Sequence, residues 1–218
     1  MKEIIRHVMR ECINASCRMR FPVILHMPGA VNCPLCGSPT QEVTSPYEEH
    51  QVSGIECRAC GTLVEALLDN IRSIYNVGSM FRTSDGAGIS HLHLCGMTPT
   101  PRNHRLAKTA LGAQETVAWT YRRNGLDAAR SLKEAGKRLW ALEGGRGSVP
   151  LGEALQDIPG TAIVLVVGNE VSGVDPGIMD RCDRILHIPM KGSKTSLNAA
   201  VAFGIAAYTL CSAPGESG

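Results

Sequence analysis

Six cysteines before residue 61 are spaced for metal chemistry. Cys12 and Cys17 form a C-x4-C pair, while Cys33-Pro-Leu-Cys36-Gly and Cys57-Arg-Ala-Cys60-Gly form two C-x2-C-G knuckles. Zinc takes four soft thiolates in a tetrahedron. A tight C-x2-C turn puts two of them on one ion, and the glycine that follows relieves the turn. Cys33 and Cys36 can be completed in two ways, by Cys57 and Cys60 or by Cys12 and Cys17, and the spacing leaves both open. Further along the chain, three polar clusters stand at the ends of apolar segments: Asn70, Asn76 and Arg82; Gly168, Asn169 and Glu170; Ser196, Leu197 and Asn198. A buried strand that delivers such groups at its C-terminal end is how α/β sheets build ligand sites.

The elements that must position these groups follow from the hydrophobic pattern. Ile163 to Val167 is a β-branched run ending at Gly168, which reads as a buried strand. Val64 to Leu68 is a second apolar segment. After it comes a helix around 77–87, entered through Asn76 as N-cap and closed near Gly86 or Gly88. Ile89 to Cys95 alternates with period two and is a strand. Strand, helix and strand in about thirty residues predict a parallel βαβ unit. Gly96 to Thr116 reads as a loop with Pro99 and Pro101, followed by a short strand over Glu115 to Thr120. Next come a helix over Leu126 to Ala135 and a strand over Arg138 to Leu142 that ends in Glu143-Gly144-Gly145. A short helix over Leu151 to Leu155, a helix from Asp175 or Pro176 to Cys182 and a strand over Arg184 to Pro189 complete the middle. The closing helix, Leu197 to Cys211, is nearly all small or apolar, so it is buried on more than one side or forms a dimer face. This order predicts an α/β fold, a mostly parallel sheet with helices on both faces. The cysteines place a small zinc-ribbon module ahead of it over residues 1–62. The sheet domain covers 63–212, and 213–218 form a disordered tail.

Composition narrows the class. The chain has 218 residues with a net charge of +2, so it carries no polybasic arm. Nucleic-acid binding would have to come from a local patch. One exists: between residues 102 and 138 there are nine Lys or Arg against three acids, a surface suited to phosphates. A hydrophobic content of 44% with only 4% aromatics fits an aliphatic α/β core. No apolar run approaches the length of a membrane span, and the N-terminus lacks the apolar segment of a secretory signal. The expectation is a cytoplasmic protein without a membrane partner.

Familiar nucleotide motifs are missing. Gly86-Ala-Gly88 lacks a third glycine and follows a helix, so it is no dinucleotide loop. Gly192-Ser-Lys194-Thr195 lacks the glycine spacing of a Walker sequence, and no nucleophile elbow is present. What remains is a set of three linked motifs, NVGSMFRT, VVGNEVSGVD and IPMKGSKTSLNAAVAFGIAAY. In order and spacing these resemble the motifs of the SpoU-type, TrmH-like RNA ribose methyltransferases of the SPOUT superfamily, over roughly residues 67–210.

The resemblance implies a catalytic domain with a deep C-terminal trefoil knot, S-adenosylmethionine bound by the knotted loops, and a homodimer whose active site draws on both subunits. It implies that Leu142, Gly144, Val167, Gly168, Asn169, Ile188, Met190, Ser196 and Leu197 line the cofactor site. It makes Arg82 the catalytic arginine, with Asn76 nearby, and has Glu170 and Asn198 complete the polar centre. A guanidinium stays protonated, so Arg82 is better suited to orienting a hydroxyl or phosphate and stabilising oxyanion charge than to acting as base. Glu170 could equally cap a helix, and Asn198 could be the N-cap of the last one. The cysteine module replaces the globular RNA-binding domain found in many relatives, and Arg18, Arg20 and Arg58 could grip nucleic acid there. The expected partner is transfer RNA or ribosomal RNA. The competing expectation is a catalytically silent RNA-binding or ribosome-assembly factor on the same scaffold.

Overall fold

The computed structural model describes residues 6–26, 31–48, 63–145, 147–158 and 162–212. The chain divides into two compact units, Met1–Cys57 and Arg58–Gly218. Cys57, Arg58, Cys60 and the tail from 213 lie outside the described residues.

The first unit is an antiparallel sheet built on β1 (Arg6–Cys12). β2 (Arg20–Ile24) pairs along one edge of it, and β3 (Thr40–Glu42) and β4 (Tyr47–Glu48) pair along the other. Among its described residues the buried apolar groups are few, namely Val8, Cys12 and Cys33. So small a core cannot hold a sheet by hydrophobic burial alone. Arg10 helps by donating from Nε to the Thr40 hydroxyl and from Nη2 to the Thr40 carbonyl, each at 2.7 Å. Arg18 pairs with Glu11 at 3.1 Å and Arg20 with the same carboxylate group at 3.8 Å, so neither charge stands alone.

The second unit is a seven-stranded sheet. Its strands in chain order are β5 (Val64–Asp69), β6 (Leu92–Cys95), β7 (Trp119–Arg122), β8 (Arg138–Leu142), β9 (Val149–Pro150), β10 (Ile163–Val167) and β11 (Arg184–His187). Across the sheet they run β7-β6-β5-β10-β8-β11-β9, and every pair is parallel. Among the described residues six α-helices flank it: α1 (Ile74–Ala87), α2 (His104–Ala110), α3 (Ala113–Thr116), α4 (Gly125–Glu134), α5 (Pro176–Met179) and α6 (Ala199–Cys211). Successive strand residues face opposite sides. Ala66, Leu68 and Leu165 therefore join Met80, Phe81, Leu106 and Phe203 on one face, while Leu67, Val164 and Val166 join Ala129 and Ile178 on the other. Burial on both sides explains why β10 is apolar at every position.

Several boundaries differ from those read in the sequence. The N-cap of α1 is Ser73, whose hydroxyl accepts from the Asn76 N–H at 3.3 Å. Asn76 is left inside the first turn with its amide free for other work. The helix closes at Gly88, whose φ of +84° suits glycine. The segment read as a loop over 96–116 holds α2 and α3. Asn103 caps α2, and Leu106 and Ala110 bury its inner face, a short pattern masked by the nearby prolines. The strand expected from Glu115 starts only at Trp119, because Glu115 and Thr116 belong to α3. β9 is two residues long and left no pattern to read. The expected helix at 151–155 is a short 3-10 turn, Glu153–Asp157.

One charged group is buried at the N-terminal end of the sheet. Burial works against ionising Glu65, but hydrogen bonds from His93 at 2.8 Å and Lys137 at 2.6 Å outweigh it and hold the carboxyl down at about 2. No helix among the described residues is long and apolar enough to cross a membrane.

Candidate active site

Parallel strands send all their C-terminal ends to one edge of the sheet, and there the loops after β8, β10 and β11 meet the start of α6. Between them lies a cavity of about 380 Å³. Leu142 and Gly144 come from the end of β8, and Val167, Gly168 and Asn169 from the end of β10. Ile188 and Met190 follow β11, and Ser196 and Leu197 precede α6. All nine residues that the resemblance assigns to the cofactor thus line one cavity, as do Glu170 and Asn198. Glu143, His187 and Thr195 also line it and were not singled out in the sequence. Glu143 carries the signal that exposed Glu170, a polar residue just beyond a buried strand. Its carboxylate accepts from the Val174 N–H at 3.2 Å. His187 bonds the Ser148 hydroxyl at 2.9 Å, tying β11 to the glycine-rich turn after β8.

The turn after β10 is built by Asn169 and by the absence of side chains around it. Asn169 exchanges two backbone hydrogen bonds with Gly173, and its Oδ1 accepts from Val171 and Ser172. Its Nδ2 donates to the Asn70 carbonyl at 2.8 Å. A Cβ on Gly168 would sit 2.3 Å from backbone atoms of Gly173 and Val174. Backbone cannot swing aside as a side chain can. Gly168→Ala is therefore expected to force the turn open and lower stability by roughly 1–3 kcal/mol, measured as a shift of the urea midpoint.

A chain of side-chain hydrogen bonds joins the three motifs. Glu170 accepts from the backbone N–H groups of Arg72 at 2.9 Å and Ser73 at 3.1 Å, and from Asn76 Nδ2 at 2.9 Å. It thus sits at the N-terminus of α1, where the helix dipole favours an anion. Asn198 Nδ2 donates to Asn76 Oδ1 at 3.1 Å, while Asn198 Oδ1 caps α6 by accepting from Ala200 and Val201. Partial burial opposes the charge on Glu170, but the hydrogen bonds from Arg72, from its own N–H, and from Asn76 and Ser73 prevail and lower its pKa. Because the folded value is depressed, this contribution to stability is present above the ordinary carboxylate range and lost as the pH falls through the depressed value.

Arg82 is not part of this node. Six residues at about 100° each turn it roughly 120° round α1 from Asn76. Arg82 is exposed and makes no hydrogen bond or ion pair with the described residues. It lies one turn before Gly86, where α1 runs so close to α6 that a Cβ would sit 2.6 Å from the Tyr208 hydroxyl. Beside it the outer face of α6 exposes Val201 (51%), Ile205 (41%) and Tyr208 (51%).

In the first unit, Cys12, Cys17, Cys33 and Cys36 bring their Sγ atoms within 4.8 Å of one another. The separations of 3.5 Å for Cys12–Cys36 and 3.8 Å for Cys17–Cys33 fit thiolates about 2.3 Å from one tetrahedral zinc. Of the two pairings open in the sequence, the geometry fits the one with Cys12 and Cys17. The Ser38 hydroxyl, and then its backbone N–H, lower the Cys36 thiol to about 6, while burial raises the neighbouring Cys12 thiol to about 12 in the absence of a cation.

Residues 64–208 match the SpoU rRNA Methylase family. The 23S rRNA (guanosine(2553)-2'-O)-methyltransferase RlmP of Bacillus subtilis (strain 168) is 32% identical over 145 residues, 66% of this chain and 56% of that protein. An AdoMet-bound rRNA methyltransferase from Sinorhizobium meliloti aligns with a TM-score of 0.62 at 28% identity, covering 68% of this chain and 55% of that one. The A. aeolicus TrmH/SpoU tRNA modifying enzyme aligns with a TM-score of 0.59 at 29% identity, covering 67% and 73%. The chain spans 56% of the length of the Bacillus relative, a little over half. It belongs to the SpoU rRNA Methylase family.

Proposed function

We propose that this chain transfers the methyl group of S-adenosylmethionine to a ribose 2′-hydroxyl of RNA. The observation that carries the proposal is the node in which Asn76 bonds Glu170 and Asn198, the two polar residues of the node that line the 380 Å³ cavity. Ribosomal RNA is the first substrate to test, since the Bacillus relative is named for 23S rRNA. Transfer RNA is the second, after the A. aeolicus enzyme.

The cavity suits this cofactor by its charge. Two carboxylates line it, Glu143 and Glu170, and no lysine or arginine does among the described residues. Such a field favours a sulfonium and disfavours phosphate-bearing cofactors. Leu142, Val167, Ile188 and Leu197 supply apolar walls for an adenine, and the polypeptide at Gly144 and Gly168 comes close without side chains. When bound, S-adenosylmethionine supplies an electrophilic methyl group. The protein has to hold the hydroxyl in line with it and ease the loss of its proton. Asn76 and Asn198 fix the floor on which a ribose would rest, with Glu170 locking Asn76 in place. Arg82 orients the hydroxyl or an adjoining phosphate and stabilises developing negative charge.

Arg82 does not reach the cavity of its own chain, which favours a homodimer in which it serves the partner. The exposed residues Tyr75, Val201, Ile205 and Tyr208 on α1 and α6 offer an apolar face for that contact. The knot expected from the family is compatible with β10 and β8 lying side by side between β5 and β11. The four clustered cysteines hold a structural zinc. The test combines calorimetry with tritiated S-adenosylmethionine transfer to unmodified 23S rRNA and transfer RNA transcripts. One cofactor per chain and label recovered in alkali-resistant 2′-O-methyl dinucleotides are expected. RNA binding without cofactor binding at millimolar concentration would leave only the silent-scaffold alternative.

A further inference from the structure

The activity proposed above leaves a second cavity unused, one of about 350 Å³ at the C-terminal ends of β6 and β7. Met97 and Thr98 from the turn after β6, Tyr121 from β7 and Arg102 from the loop before α2 form its wall. The Tyr121 hydroxyl donates to the Gly96 carbonyl at 2.8 Å, which holds the ring at the wall while 44% of the residue stays in water. Met97 is 62% exposed beside it. Arg102 is exposed and has no hydrogen bond or ion pair with the described residues. By contrast the Thr98 hydroxyl is fully committed, accepting from Ile71 and donating to the Leu68 carbonyl. The wall therefore offers an aromatic ring, a thioether and a free guanidinium. Its size, near the lower limit of ligand pockets, suits one nucleotide better than an extended ligand.

Its position in the sheet points the same way. The first cavity lies at the ends of β10, β8 and β11, and the second at β6 and β7. Between them β5 runs out toward α1, the helix of Asn76 and Arg82. With strands about 4.8 Å apart, the two cavities are separated by roughly 10–15 Å along one edge of the sheet. Asn70 ties their rims together. Its Oδ1 accepts from the Met97 N–H at 3.1 Å, and its carbonyl accepts from Asn169 at 2.8 Å. Arg105 and Arg123 are exposed on the same stretch of chain and also lack ion pairs with the described residues. They belong to the local positive excess over 102–138, which the cofactor cavity does not use.

We infer that the second cavity takes a nucleotide of the substrate RNA close in sequence to the one methylated, its base against Tyr121 and Met97 and its phosphate on Arg102. The inference rests on the RNA methylation proposed above. Every base presents a π-face, so stacking on Tyr121 adds affinity with little sequence preference, and Arg102 adds a phosphate contact that salt weakens.

The test uses the full chain with a 23S rRNA transcript and a transfer RNA transcript. Tyr121→Ala should weaken RNA binding and raise the KM for RNA about tenfold, with unchanged affinity for S-adenosylmethionine. Tyr121→Phe keeps the ring and should behave as the unaltered protein. Arg102→Ala should weaken binding of both transcripts alike and reduce the slope of log affinity against log salt by about one. Should Tyr121→Ala also lose cofactor binding, the salt slope of Arg102→Ala decides. Unaltered RNA affinity and KM in Tyr121→Ala, while the parent protein still methylates RNA, overturns the subsite alone. Failure of the parent protein to bind either transcript overturns the subsite and the activity together.

Discussion

Arg82→Ala is expected to reduce methyl transfer by about three orders of magnitude while leaving the affinity for S-adenosylmethionine within about twofold, since Arg82 is not among the residues that line the cofactor cavity of its own chain. Stability should change little, because Arg82 is exposed and unpaired among the described residues. A sharper form of the experiment asks whose site it serves. Let Arg82→Ala be refolded in equal amounts with Asn198→Ala, a cavity variant expected to be inactive by itself. If the arginine acts in the partner's cavity, each mixed dimer keeps one site with neither lesion, and about a quarter of parental activity returns from random pairing. If it acts in its own chain, both sites of the mixed dimer are broken and nothing returns. Full activity in Arg82→Ala alone would remove the arginine from the mechanism. A monomer in sedimentation would remove the shared site.

Metal removal should have the second large effect, confined to the first unit. Structural zinc in modules of this type binds with apparent free energies of about 10–16 kcal/mol, far more than Val8 and two buried thiols can supply by burial. Elemental analysis of reduced protein should give about one zinc per chain. Chelation, or Cys33→Ser, should leave residues 6–48 open to proteolysis and hydrogen exchange while the parallel sheet of the second unit keeps its protection. Survival of the first unit without metal would mean that its sheet stands on Arg10 and its few apolar contacts. Cysteines paired as disulfides would contradict the tetrad directly.

The sequence made the central part of this molecule readable because a strand buried on both faces, like β10, is apolar at every position. β10 stood out for that reason, and Asn169 and Glu170 just beyond it marked the site. Residues of the cofactor cavity were legible as motifs more than as physics. The cavity itself draws on loops after three strands whose adjacency no pattern reveals. The cap of α1 was misplaced because both Ser73 and Asn76 are good cap residues, and only the carboxylate of Glu170 decides between them. α2 stayed hidden since seven residues next to two prolines carry little periodicity. Tyr121 and Met97 gave no signal at all: they become a surface only when β6 and β7 lie side by side.

The bonds at Glu170 and Asn198 have a consequence for how the protein is made. Glu170 bonds to Arg72, 98 residues earlier, and Asn198 to Asn76, 122 residues earlier. At about 5–20 residues per second, the start of α1 leaves the ribosome roughly 5–25 seconds before its partners exist. The cavity is therefore completed only once the start of α6 has been made, and a product that stops before Asn198 cannot hold it. Occupancy by a small molecule reports that these distant segments have met. Because that molecule binds only the completed form, it draws the late contacts shut by mass action.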